Sequence, residues 1–276
     1  MLDRITPVIL TFNEEPNIGR TLAGLSWARD IVIVDSGSTD RTAEIVATFP
    51  QARLITRPFD THANQWTFAT TQTGVETEWI LAFDADYVTT EAFVQELRNL
   101  TPPDDTVGYA VSFRYCVFGA PLRGTLYPPV VALYRRGRAA YIQDGHTQRL
   151  VPQGKVGQLS EKILHDDRKP LSRWLVSQDR YMRLEAAHIA EKSLSQLSFA
   201  DRIRRFPLIA PFAVFLNCYV LKGGALDGAT GLYYALQRML AEAILGLRIL
   251  EERLVANAKD EPARVAAKPS PPETKS

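Results

Sequence analysis

Apolar runs broken by short polar clusters dominate the first half of the chain. Residues 5–12 are apolar and β-branched and predict a first strand. Asn13-Glu14-Glu15-Pro16-Asn17 follows as a polar loop that opens a helix over residues 18–27. Ile31-Val32-Ile33-Val34 is an unbroken apolar run, the kind found in parallel sheets covered on both faces. It ends in Asp35-Ser36-Gly37-Ser38-Thr39-Asp40, where Thr39 or Asp40 can cap a helix over residues 42–49. Residues 52–55 predict a third strand and residues 64–73 a helix. Trp79-Ile80-Leu81-Ala82-Phe83 then runs straight into Asp84-Ala85-Asp86. A short apolar run of this kind reads as a buried strand, although its pattern alone does not exclude a helix. Strand and helix alternate, which predicts an α/β fold with βαβ units and a mostly parallel sheet.

In such sheets ligands bind beyond the carboxyl ends of the strands. Three polar clusters fall there: residues 11–14, 35–40 and 84–86. On a strand, period 2 puts Asp84 and Asp86 on one face. Two carboxylates ending a buried strand need a cation or a hydrogen-bond network, because unpaired buried charge is costly. Hard divalent cations such as Mg²⁺ or Mn²⁺ take such oxygens, often shared with phosphate. A lone Asp-x-Asp is more often a solvated turn; the convergence of three clusters shifts the balance toward a site. No G-x-G-x-x-G follows the first strand and there is no G-x-x-x-x-G-K-[ST]. Dinucleotide and P-loop sites are therefore disfavoured, and a nucleotide would be held by base contacts near Asp35 and by a metal on its diphosphate.

Composition narrows the classes. The 276 residues include 46% hydrophobic ones, enough for a sizeable core. Lys plus Arg (32) nearly cancel Asp plus Glu (31), which argues against a general nucleic-acid binder. Cys116 and Cys218 are far apart and suggest neither a disulfide framework nor a zinc site. The N-terminus leads into a strand-like run rather than a signal-peptide core. Residues 259–276, rich in Ala, Pro, Lys and Glu, read as a disordered tail.

Several segments together carry a specific resemblance. They are Thr11-Phe12-Asn13-Glu14, Val34-Asp35-Ser36-Gly37-Ser38-Thr39-Asp40, Asp84-Ala85-Asp86, His146, and Leu226-Asp227-Gly228-Ala229-Thr230-Gly231-Leu232. The chain resembles family 2 inverting glycosyltransferases of the GT-A fold, and within them the lipopolysaccharide core enzymes of the WaaE type. The resemblance implies a nucleotide-sugar donor, usually a UDP-sugar, and Mg²⁺ or Mn²⁺. It implies that Phe12 lies against the base, with core packing as the alternative. Asp35 would hydrogen-bond the base or ribose, Glu14 would support that pocket, and Thr11 and Ser36 belong to the same substrate-binding group. Asp86 would bind the metal, with Asp84 nearer the ribose or the metal's water shell. Gln65 lies where relatives carry a polar residue near the donor, against the weightier alternative of a solvated helix face. His165 would complete the metal shell, or be a surface-loop histidine.

Residues 107–150 are expected to complete the sheet and form the acceptor side, with strands near 109–115 and 130–134 and a candidate acceptor loop over 118–129. An inverting transfer needs a base for the acceptor hydroxyl, and the metal stabilises the leaving diphosphate. Asp144, where GT-A enzymes usually place an acidic residue, is the first candidate. His146 is the second, or else a metal or phosphate ligand or a structural histidine. Relatives carry Glu where this chain has Thr147, and tend to carry Glu where it has Tyr87.

The C-terminal third changes character. Residues 174–192 predict a long helix. Arg202, Arg204 and Arg205 precede the very apolar residues 206–221, which hold Pro207 and Pro211. That run is shorter than the roughly 20 residues of a spanning helix, and its basic flank suits a segment lying in an anionic membrane interface; a buried helical hairpin is the alternative. Residues 231–255 predict an amphipathic helix with Leu232, Leu236, Met239, Leu240, Ala243, Leu247, Leu250 and Leu254 on its apolar side. That side can dock on the catalytic domain, on the membrane or on a second subunit. The expected organisation is a catalytic domain over 1–170, a membrane-associated helical region over 171–258, and the tail. The expected activity is metal-dependent transfer of a sugar to a hydroxyl of a lipid-linked or lipopolysaccharide-type glycan, at the cytoplasmic face of the inner membrane. The alternatives are a nucleotidyltransferase of related fold and a nucleotide-sugar binder without turnover.

Overall fold

The computed structural model describes residues 1–144, 147–193, 195 and 197–266. The first half alternates as expected: β1 (Ile5–Thr11), α1 (Ile18–Gly24), β2 (Ile31–Asp35), α2 (Thr42–Val46), β3 (Ala52–Thr56), α3 (His62–Thr71) and β4 (Trp79–Asp84). Then come β5 (Tyr87–Val88), α4 (Glu91–Asn99), β6 (Thr106–Val117), β7 (Ala120–Pro121), β8 (Val130–Arg135), β9 (Ala139–Asp144), β10 (Thr147–Pro152) and β11 (Lys155–His165). The C-terminal part is helical: α5 (Leu171–Glu191), α6 (Phe199–Arg204), α7 (Ile209–Leu216) running into a π turn, and α8 (Gly228–Ala266).

One sheet organises the molecule, in the order β3-β2-β1-β4-β8-β6-β11-β5. The strands β3, β2, β1 and β4 are parallel, and β8 enters antiparallel between β4 and β6. Both faces are covered. Ile9, Ile33, Leu81 and Phe83 face one buried cluster, while Val8, Val32 and Ile80 face another with Trp66 of α3. This is the period-2 split of strands buried on both sides. Each fully buried Ile or Leu contributes about 1.5–3 kcal/mol relative to exposure, so register is fixed throughout the parallel half. Three helices start on side-chain caps: Thr61 accepts from Asn64 N, Thr90 from Phe93 N and Ser198 from Asp201 N. At α2 the expected capping differs. Arg41 occupies the N-cap, and Asp40 instead accepts from the Thr42 amide at 3.0 Å.

Residues 107–150 only partly complete the sheet. β6 and β8 join it, but β9 and β10 form a separate antiparallel hairpin, and β11 supplies the missing strand. The apolar run at 206–221 is neither a buried hairpin nor one straight helix. Pro211 lies in the first turn of α7, and many of the run's apolar side chains are exposed. Helix α8 continues through Ala266, into the segment read from composition as a tail; residues 267–276 lie outside the described residues.

Candidate functional site

The site lies at the carboxyl ends of β1, β2 and β4, closed on one side by the end of β11 and the entry to α5. Asp84 is the last residue of β4, paired in register with Leu10 of β1. Asp86 sits in the two-residue turn between β4 and β5, so strand periodicity does not govern its direction. Its backbone carbonyl accepts from Asp166 N at 3.0 Å, which ties the turn to the end of β11. His165, the last residue of β11, turns its ring onto Asp86, with Nε2 3.1 Å from Oδ2. A carboxylate only accepts, so the imidazole donates. Tyr115, Tyr127 and Tyr87 surround the ring at centroid distances of 4.8, 4.9 and 5.2 Å. His165 is therefore an enclosed residue with a carboxylate partner, not a surface-loop histidine.

The electrostatics follow from this enclosure. Burial works against the Asp86 charge, but His165 and Lys169 outweigh it and hold the carboxyl below its usual range. Burial likewise disfavours the imidazolium, and Asp86 more than reverses that, raising His165. Asp84 moves the other way: burial, then the Asp86 charge, push its carboxyl up. In this cluster two side-chain atoms, Asp86 Oδ1 and His165 Nδ1, are buried without a hydrogen-bond partner among the described residues.

The β1 and β2 loops interlock beside these residues. Asp35 accepts from Thr11 Oγ1 at 3.0 Å and Ser38 Oγ at 2.5 Å on one oxygen, and from the Gly37 and Ser38 amides at 3.0 and 2.8 Å on the other. The carboxylate expected to meet a base or ribose is thus already engaged in shaping its own loop. Asn13 has φ 55°, a left-handed conformation that Asn tolerates. Its side-chain oxygen accepts from Thr39 N at 2.7 Å. Phe12, beside it, is 53% exposed, which removes the core-packing alternative. Gln65 is fully buried rather than on a solvated face. It donates to Ser36 Oγ at 3.1 Å and to the Arg57 carbonyl at 3.2 Å, and accepts from the Arg57 guanidinium.

Glu14 faces inward. Lys169 Nζ lies 2.5 Å from one of its oxygens and Asn17 Nδ2 2.9 Å from the other. Burial, with the Asp86 charge adding to it, pushes the Glu14 carboxyl up to about 7 against the pull of Lys169. Asn17 also donates to Asp167 at 2.8 Å, and Arg173 of α5 donates to the Asn13 carbonyl at 2.7 Å. Lys169, Asp167 and Arg173 were not singled out from sequence. The available signal was the charged run Asp166-Asp167-Arg168-Lys169 directly after His165. Of the two candidate bases, His146 lies outside the described residues, and so does the Asp144 side chain, whose backbone ends β9.

Among the described residues no group of three His, Cys, Asp or Glu side chains is arranged to hold a metal. A Mg²⁺ or Mn²⁺ ion shared with substrate phosphates needs fewer, usually one or two carboxylates. The unpartnered Asp86 Oδ1 and the neighbouring Asp84 fit that requirement. His165 fits a role behind the carboxylate, orienting Asp86, as partners of metal-bound carboxylates do.

The sequence model described as Glycosyl transferase family 2 matches residues 6–147. The lipopolysaccharide core biosynthesis glycosyltransferase LpsC of Rhizobium meliloti (strain 1021) is 29% identical over 252 residues, 84% of this chain and 88% of LpsC. Solved structures that align include S. aureus TarS 1-349 with UDP-GlcNAc, at 16% identity, 92% of each chain and a TM-score of 0.45. Glucosyl-3-phosphoglycerate synthase from Mycobacterium tuberculosis, with Mn²⁺, UDP and phosphoglyceric acid, aligns at 13% identity, covering 68% of this chain and 78% of that one, with a TM-score of 0.42.

Proposed function

The chain belongs to glycosyl transferase family 2, and from that premise we propose that it moves a sugar, with inversion, from a UDP-sugar to a hydroxyl of a lipid-linked or lipopolysaccharide-type glycan. Membership of a glycosyltransferase family favours glycosyl over nucleotidyl transfer and turnover over silent binding. The likeness to LpsC over most of both chains supports the glycan class. The reading includes dependence on Mg²⁺ or Mn²⁺ and work at the cytoplasmic face of the plasma membrane.

The observation that carries the proposal is Asp86 Oδ1, a buried carboxylate oxygen with no partner among the described residues, beside Asp84 and next to two interlocked loops. Asp86 and Asp84 would hold the cation, which when bound neutralises charge on the departing diphosphate. His165 keeps Asp86 oriented and ionised. Lys169 keeps a positive charge next to both Glu14 and Asp86. Exposed Phe12 offers a flat apolar face for a base, and the Asp35-centred loop shapes the floor beneath it. Asp144, at the end of β9, is assigned as the base that takes the acceptor proton.

The test is transfer from UDP-sugars to deacylated lipopolysaccharide core oligosaccharide, with release of UDP followed and the product anomer read by NMR. The expected product has the inverted anomer, its formation stops on chelation, and Asp144→Asn lowers kcat about 100-fold or more. A retained anomer, or full activity with the metal chelated, would refute the proposal.

A further inference from the structure

Helix α8 has two opposed faces, and the leucine-rich one points outward. Tyr234, Ala235, Ala241, Leu245 and Ile249 are buried, together with Glu242, whose carboxylate takes a forked bond from Arg204. Leu232, Leu236, Leu240, Leu247, Leu250 and Leu254 are exposed. At about 100° per residue these six leucines fall on one stripe, on the order of 33 Å long at about 1.5 Å per residue. The adjoining segment repeats the arrangement. Leu208 is 82% exposed and Leu221 79%, with Phe212, Leu216 and Val220 also open. From residue 202 to residue 226 the chain has no acidic side chain, while Arg202, Arg205 and Lys222 flank the apolar positions. Among the described residues no single helix is long and apolar enough to cross a membrane; the segment Ile209–Leu221 and helix α8 meet at a bend of 66°.

We infer that these two apolar stripes seat together on an anionic lipid bilayer, lying in its interface without crossing it. Exposed apolar surface of this extent needs a cover, and the geometry selects which. A helix from a second copy follows one axis, whereas these stripes run on axes 66° apart; a flat apolar phase accepts both. The basic flank without acidic neighbours matches anionic headgroups, and amphipathic helices with such flanks lie in the interface plane.

The docking surface is also wired to the site by one loop, residues 118–129. Leu122 packs with Cys218, Tyr234 and Ala235. Gly124 passes so close to the end of the π turn that an added Cβ would stand 2.4 Å from the Lys222 carbonyl. Asp227, in the turn before α8, accepts from Arg123 N at 3.0 Å and pairs with its guanidinium at 3.2 Å. Leu126 N donates to Tyr234 Oη at 3.1 Å. At the next residue, Tyr127 shares a 2.7 Å hydroxyl–hydroxyl bond with Tyr87, and both rings pack on His165, the partner of Asp86. Seating the stripes therefore holds the Asp84–Asp86 end of β4 at a fixed height over the lipid, where a lipid-borne acceptor presents its glycan. That consequence rests on the glycosyl-transfer reading; the docking does not.

The experiment is flotation of full-length protein with vesicles of phosphatidylethanolamine containing about a quarter phosphatidylglycerol, against vesicles of phosphatidylcholine alone. UDP binding in solution and mass by light scattering are measured alongside. Wild type should bind the anionic vesicles at least about tenfold more tightly, and high salt should weaken that binding. Leu208→Asp/Leu221→Asp and Leu247→Asp/Leu254→Asp should each lower it about tenfold or more while leaving UDP binding unchanged. Flotation unaffected by either pair, no flotation of wild type, or a stable dimer in place of vesicle binding would overturn the inference. UDP binding without flotation sinks docking and leaves glycosyl transfer standing; flotation without binding of UDP does the reverse.

Discussion

Asp35 offers the sharpest test of how the loop after β2 is built. Its buried carboxylate accepts four hydrogen bonds, two from hydroxyls and two from backbone amides, at 2.5–3.0 Å. Asp35→Asn keeps shape and size but removes the charge. Bonds to a charged acceptor contribute about 1.5–3 kcal/mol against about 1 for neutral ones, and the two hydroxyls can turn to accept from the new amide, so the loss is about 2 kcal/mol. For a chain of this size that lowers Tm by about 4–8 °C. Asp35→Ala leaves the Gly37 and Ser38 amides without their acceptor and should cost about 4 kcal/mol at one to three per orphaned group. Urea unfolding of both variants, combined with Ser38→Ala in a double-mutant cycle, should give a coupling energy of about 1–2 kcal/mol. An Asp35→Asn protein within about 0.5 kcal/mol of wild type and uncoupled to Ser38 would show that the carboxylate does not hold this loop.

Two further predictions concern charge and close packing. Glu14 is raised from its ordinary 4.5 to about 7, so in the fold its neutral form is favoured below that pH. Its contribution is fully present below about 4.5 and is lost as pH rises through about 7, a loss of about 3 kcal/mol. The stability of Glu14→Gln relative to wild type should therefore rise by that order between pH 4.5 and 8; parallel unfolding curves across that range would refute it. Gly231 lies in the first turn of α8, where an added Cβ would stand 1.9 Å from the Gly224 carbonyl. Gly231→Ala should destabilise by about 3 kcal/mol despite the helix preference for Ala. Gly19→Ala, whose Cβ would meet only Ile45 Cγ2 at 3.4 Å, should be neutral or stabilising by up to about 1 kcal/mol in the same thermal melt.

The parallel half of the sheet was legible because β2 and β4 are unbroken apolar runs and β1 is largely apolar, each ending in polar residues that must face a ligand or each other. The three clusters at those ends do converge, and the late histidine does meet Asp86. What sequence could not supply was partner choice. Asp35 and Gln65 carry the right chemistry for a donor, yet their neighbours in the fold use most of it. Lys169 enters from a loop more than a hundred and fifty positions away from Glu14, and no local pattern links them. In α8 the periodicity identified the apolar face but left open whether the catalytic domain, the membrane or a second subunit covers it. Arg204 draws Glu242 inward with the small Ala235 and Ala241, leaving the leucines outside. The β9–β10 hairpin was missed because its strands, with Gln143, Arg149 and other polar residues, are weakly apolar.

Asp86 and Asp84 are proposed to form a cation-dependent site for a nucleotide diphosphate. That role is tested by calorimetric titration of UDP into wild type and Asp86→Ala, with and without Mn²⁺. Binding is expected only with Mn²⁺ in wild type, weakened about 100-fold or more in a variant that melts as cooperatively as wild type. Equal UDP affinity in the two proteins, or no UDP binding by folded wild type with the metal present, would contradict it.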